Sequence, residues 1–223
     1  MIEINEIFSD SDKRMALWFD SAADTSDLVV MAENVVQEKV QLISVLPEFV
    51  PFIWTCLEKQ DVKIMTRYFF DPMPKNVDSE FSDLVKNING ICKKGANGVQ
   101  VFLKLSDLNM FVNNLSVVRD DLFFGHDLSV GLDIEEIGLD DWDFVFQKLH
   151  DIRANSLVLT LTEDTGNRSD FVGRVYTMLT KWNFNGELLF ILNNDYDRID
   201  QAIRLVEIAK PELSEKLRFF LNY

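Results

Sequence analysis

The chain has 223 residues, 47% of them hydrophobic, enough for one large core and too many for a disordered chain. Acidic residues outnumber basic ones 37 to 22, for a formal charge of −15. A surface of that sign repels nucleic acid and anionic membrane, so neither is expected as a partner.

No apolar run approaches the roughly 18 residues that a membrane helix needs. Met1 to Arg14 has no basic start followed by an apolar stretch, so no secretory signal is expected. Cys56 and Cys92 show no metal-ligand spacing and fall inside expected helices. Both read as core thiols of a cytoplasmic protein.

Short apolar runs alternate with longer amphipathic segments, the pattern of βα units and a parallel sheet. Strand 1 is expected at Met15–Asp20, and its helix at Ser26–Glu38, capped by Ser26. Strand 2 spans Gln41–Val45, with a helix over Pro47–Lys59. Strand 3 spans Val62–Phe69, and a proline-rich loop leads to a helix from Ser79 to Lys94. Strand 4 is Val99–Leu105, its helix starting at the cap Ser106-Asp107. Strand 5 is Leu128–Glu135. In its helix, Asp140–Ala154, residues Trp142, Val145, Phe146, Leu149 and Ile152 share one face. Strand 6 (Ser156–Thr162) precedes a helix at Ser169–Trp182. Strand 7 (Glu187–Asn193) precedes one at Asp197–Ala209, and strand 8 is Leu217–Leu221.

Eight strands with seven intervening helices predict a single α/β domain over residues 1–223, a (β/α)8 TIM barrel without its final helix. An open doubly wound sheet is the competing arrangement. Residues 1–13 read as an N-terminal extension. The missing helix would bare the apolar flanks of strands 1, 7 and 8, which a second copy of the chain could cover.

Alternate residues of a barrel strand face the helices and must be apolar; the others face the axis. Leu128, Val130, Leu132 and Ile134 then point outward, and Ser129, Gly131, Asp133 and Glu135 inward. Strand 4 sends Gln100, Phe102 and Lys104 inward. Strand 3 does the same with Lys63, Met65 and Arg67, and strand 1 with Ala16, Trp18 and Asp20. Polar residues thus gather where the strands end: Asp20, Arg67, Lys104, Asp133, Glu135, Thr162, Asp164, Asn194 and Asn222. Active sites of this fold lie at that end.

Lys104 is the sharpest candidate. An amine held among apolar barrel walls would lose solvation and become a nucleophile able to form a Schiff base with a carbonyl. Asp20 and Asp133 could move its protons. Arg67 could bind an anionic substituent, with Glu135, Thr162, Asp164, Asn194 and Asn222 lining the substrate site. The competing structural reading makes Lys104 a buried ion-pair partner.

Leu17-Trp-Phe-Asp-Ser-Ala resembles the first strand of transaldolases, and Val101-Phe-Leu-Lys-Leu their fourth, which carries the Schiff-base lysine. Lys94-Gly-Ala-Asn-Gly-Val-Gln-Val resembles the segment leading into strand 4 of deoxyribose-phosphate aldolases. The chain therefore resembles class I aldolases with barrel folds, and the resemblance implies a lyase or transferase acting on a small carbonyl compound without a cofactor. It departs from deoxyribose-phosphate aldolases at strands 6 and 7, where those enzymes carry lysines and this sequence has none. The glycine-rich phosphate loops expected after strands 7 and 8 are absent as well.

Two further readings stay open. Asp133, Glu135, Asp164 and Asp195 are hard oxygen ligands that suit Mg²⁺ or Mn²⁺ in a metal-dependent barrel enzyme. Glu135 with Asp164 could also form a glycosidase pair. His126 and His150 fall away from the strand ends. The last alternative is a non-catalytic barrel that binds a ligand or a protein.

Overall fold

The computed structural model describes residues 13–20, 25–70, 77–122, 125–161 and 168–222. Its elements run β1 (Met15–Phe19), α1 (Thr25–Gln37), β2 (Leu42–Val45), α2 (Val50–Leu57), β3 (Lys63–Phe69), α3 (Val77–Cys92), β4 (Gly98–Phe102) and α4 (Leu105–Asp121). They continue with β5 (Asp127–Asp133), α5 (Trp142–Ile152), β6 (Ser156–Thr160), α6 (Arg168–Lys181), β7 (Glu187–Ile191), α7 (Tyr196–Ala209) and β8 (Leu217–Asn222). Among the described residues, an α-helix joins each pair of consecutive strands and none follows β8.

The eight strands are parallel and form a closed barrel in sequence order. Closure is direct: β1 pairs with β8 from Met15 opposite Phe219 to Trp18 opposite Asn222. That pairing removes the open-sheet alternative.

The inward and outward sets match the period-2 reading. Val99, Val101, Leu128, Val130, Leu157 and Leu159 face the helices and are fully buried. Ala16, Trp18, Leu42, Met65, Phe102, Val158, Leu189, Ile191 and Phe220 form a second, separate cluster inside the barrel. Each such ring or branched side chain removed from water contributes roughly 1.5–3 kcal/mol.

The barrel floor is polar. Lys63 on β3 pairs with Asp127 on β5, and the Ser129 and Ser156 hydroxyls lie 2.6 Å apart. Burial lowers the Lys63 pKa; the Glu187 charge opposes that shift and Arg218 reinforces it. His126 sits at this end, its carbonyl accepting a 2.6 Å bond from Arg119 Nη1. His150 lies on α5 with Nε2 3.2 Å from the Asn183 carbonyl, remote from the strand ends.

Three expectations change here. The segment after β2 opens as a 3-10 turn, Pro47–Phe49, and becomes α-helical only at Val50. Cys56 is exposed, not a core thiol, while Cys92 is buried and burial pushes its thiol up to about 11. The apolar flank expected along β8 and β1 is not bare: Leu217, Phe219, Leu221, Leu17 and Phe19 are all buried. All but the last residue of the expected N-terminal extension lies outside the described residues.

Candidate functional site at the barrel mouth

The C-terminal end of the barrel is closed by aromatic rings. Trp18 on β1 meets Phe102 on β4 edge to face with 5.6 Å between centroids, and Phe220 on β8 at 5.7 Å. Phe69 stacks on Phe102 at 5.0 Å. Phe102 reaches the axis because Gly131 stands opposite it on β5. A Cβ on Gly131 would come 2.1 Å from the Phe102 ring, so any larger residue must displace that ring. The axis just below the polar strand ends is therefore filled by a hydrophobic plug.

Below the plug lies Arg67, whose side chain has no solvent exposure. Its Nη1 donates to the Ser44 carbonyl at 2.8 Å, and its Nη2 donates to the Phe19 carbonyl and to Asp20 Oδ1 at 2.8 Å. The guanidinium also lies 3.9 Å from the Trp18 ring centre. Burial pushes Arg67 down to about 10, against the charges of Asp20 and Glu48, so it stays protonated at neutral pH. Neighbouring Gln100 accepts a 2.6 Å bond from the Ser44 hydroxyl. Both terminal nitrogens of Arg67 are engaged with the protein. The substrate-anion clamp expected of this residue is thus a structural tie between β1, β2 and β3.

Asp20 stands at the top of this tie. Its Oδ1 accepts from Arg67 and from Trp18 Nε1, and its side chain is 63% exposed. Fixed donors at one oxygen leave the carboxylate oriented toward the mouth.

Lys104 is not at mid-barrel. β4 ends at Phe102, and Lys104 becomes the N-cap of α4 in extended conformation. It is exposed, so the desolvation that was to activate it is absent. The first amide of α4, Leu105 N–H, donates 2.9 Å to Glu136 Oε2 from the β5–α5 loop. This distant carboxylate takes the capping role that local sequence assigned to Ser106-Asp107. Sequence reading missed Glu136 because its partner is 31 residues away.

The other expected site residues divide. Asp133 ends β5, and its Oδ1 accepts from Glu135 N at 2.8 Å. Glu135 borders a cavity of about 10 Å³ shared with Arg174, Arg198 and Asp170, room for one water at most. Arg174 holds the loop there by donating 2.8 Å to the Ile137 carbonyl. Thr162 and Asp164 lie outside the described residues, so the glycosidase pair and the full metal set do too. Asp195 caps α7 through Arg198 N at 3.1 Å. Among the described residues, no group of three or more His, Cys, Asp or Glu is placed to hold a metal ion.

Asn194 and Asn222 form a latch. Asn194 Nδ2 donates to the Asn222 carbonyl at 3.2 Å, and Asn222 N–H donates to Asn194 Oδ1 at 2.8 Å. Asn193 adds a 3.1 Å bond to the Leu161 carbonyl. Asn193 and Asn194 adopt positive φ, 50° and 60°, a conformation their short amides tolerate. Asn194 and Asn222, expected to line the substrate site, are here bonded to each other and tie the ends of β7 and β8. Asn194→Gly, which keeps the backbone freedom and deletes both bonds, should cost about 1 kcal/mol in urea unfolding. No measurable change would mean the latch is idle.

No family model matches the chain, and no curated protein is similar to it in sequence. Solved structures do match. A protein described as a deoxyribose-phosphate aldolase from Coccidioides immitis superposes with a TM-score of 0.73 at 11% identity, over 96% of this chain and 81% of the other. The tetrameric deoxyribose phosphate aldolase of Aeropyrum pernix gives 0.68 at 11%, over 95% and 86%. The chain shares its fold with barrel aldolases. A protein described as the copper homeostasis protein CutC of Streptococcus agalactiae also matches, with 0.63 at 8% identity over 92% and 97%. The likeness therefore carries the barrel and leaves the chemistry to the residues. Against the aldolase-type barrel, β6 (Ser156–Thr160) and β7 (Glu187–Ile191) offer no lysine. No described helix is long and apolar enough to cross a membrane.

Proposed function

We propose that the chain is an aldolase-like lyase or transferase for a small carbonyl compound, with Lys104 at the rim of the barrel as the amine nucleophile. The observation that carries this reading is position. Among the described residues, Lys104 is the only lysine within two residues of the C-terminal end of a barrel strand, and it is exposed to a substrate approaching the mouth. The Lys104 amine would add to the carbonyl carbon, and loss of water from the carbinolamine would give an imine. Glu136, bonded to the next residue's amide, and Asp133, on the adjoining strand end, are the carboxylates suited to move the protons. The aromatic plug confines the reaction to the rim and excludes the barrel interior.

Borohydride reduction in the presence of aldehydes and ketoacids should trap an adduct on Lys104 by peptide mass, and Lys104→Met should abolish it. Absence of an adduct across the panel, or equal labelling of surface lysines, sinks this reading. The filled axis favours one competitor, a barrel that binds a ligand without reacting. Saturable binding with no trapped adduct would support that competitor.

A further inference from the structure

We propose that Phe69 and Asp20 form a binding site for a small organic cation, an ammonium or guanidinium group on a flat or apolar body, at the mouth of the barrel. Phe69 ends β3 and is 64% exposed, although it is a large apolar ring. One of its faces is covered by Phe102 in a stack inclined at 25°, and its edge meets Trp18 at 6.3 Å. The opposite face is open to solvent. Its stack on Phe102 holds the ring rigid while most of it stays exposed, so it can serve as a platform for a ligand.

Asp20 contacts the same indole, its Oδ1 accepting a hydrogen bond from Trp18 Nε1. Both of its hydrogen bonds, from Arg67 and from Trp18, fall on Oδ1. Oδ2 has no hydrogen bond from another described residue and is held in place by the two on its sister oxygen. A ring face and a fixed carboxylate oxygen around one indole are the two elements that recognise an organic cation.

The protein makes the same pairing internally. The Arg67 guanidinium lies over Trp18 and binds Asp20 Oδ1. An external cation would repeat that arrangement one step outward, on Phe69 and Oδ2. Anions are disfavoured, because the guanidinium that could bind them is fully buried and the chain carries −15. That charge also steers cations toward the surface. The site is independent of the amine chemistry proposed at Lys104, since it is read by binding alone.

The test uses benzamidinium as the probe, with neutral benzamide and anionic benzoate as controls. Titration should shift the Trp18 indole ¹H–¹⁵N resonance saturably in the millimolar range with benzamidinium, far less with benzamide and not with benzoate. Phe69→Ala should weaken binding roughly threefold, and Asp20→Asn about tenfold or more at low salt. Phe69 is exposed, so its variant tests the site even where Asp20→Asn unfolds the protein. Benzamide binding as well as benzamidinium, Phe69→Ala binding unchanged, or no saturation at tens of millimolar would each overturn the proposal.

Discussion

Replacing Arg67 with methionine is expected to cost about 3–5 kcal/mol, the range for breaking a buried charged hydrogen-bond network from one side. The magnitude follows from what the guanidinium serves. Two of its partners, the carbonyls of Ser44 and Phe19, belong to the main chain. No second substitution can remove them, and each acceptor left buried and unpaired costs about 1–3 kcal/mol. Methionine also leaves the Trp18 face without the guanidinium that covers it at 3.9 Å. Asp20 adds less, because its exposed carboxylate regains water when Arg67 is gone. Asp20→Asn should therefore cost less than half as much, since the amide oxygen can still accept from both donors. Urea unfolding followed by circular dichroism measures both. A loss below about 1 kcal/mol for Arg67→Met would show that the network contributes little.

Phe102→Ala is expected to cost about 3–4 kcal/mol, toward the lower part of the range for a buried aromatic. The ring packs against Trp18, Phe69 and Gly131, so its loss opens a hole at the top of the axis. Water can enter from the mouth, which softens the penalty relative to a sealed cavity. The companion change, Gly131→Ala, should cost about 1–3 kcal/mol by overpacking, because the new methyl must displace the same ring. Phe102→Ala should also gain weak affinity for small aromatic compounds that refill the hole, measurable by calorimetry. A Phe102→Ala protein as stable as the original would show that the plug is loosely packed.

The architecture was legible because strand periodicity and face burial reinforce each other. In β5, Leu128, Val130 and Leu132 could only face helices, and that fixed Ser129, Gly131 and Asp133 inward. The identity of the inward residues did not reveal the site, because depth along the strand decides whether a side chain is core or rim. Lys104 follows the inward parity of Gln100 and Phe102, yet β4 stops at Phe102 and a helix starts at Leu105. The first amide of that helix is capped by Glu136 on another loop, a partner that no local signal encodes. Cys56 was readable in principle. The buried stripe of α2 is Val50, Ile53 and Leu57, and position 56 lies off it.

The amino-acid sequence alone determined the eight strands and their outward faces, while closure into a barrel came from the pairing of β1 with β8. The strands and their faces follow from the periodic placement of apolar residues, which is a local property. Only the tertiary structure decided that Arg67 binds backbone carbonyls, that Phe102 fills the axis over Gly131, and that Asp20 is fixed by Arg67 and Trp18. Each depends on partners brought together by barrel closure, such as Phe19, 48 residues from Arg67, and neither hydropathy nor spacing along the chain records which partners those are.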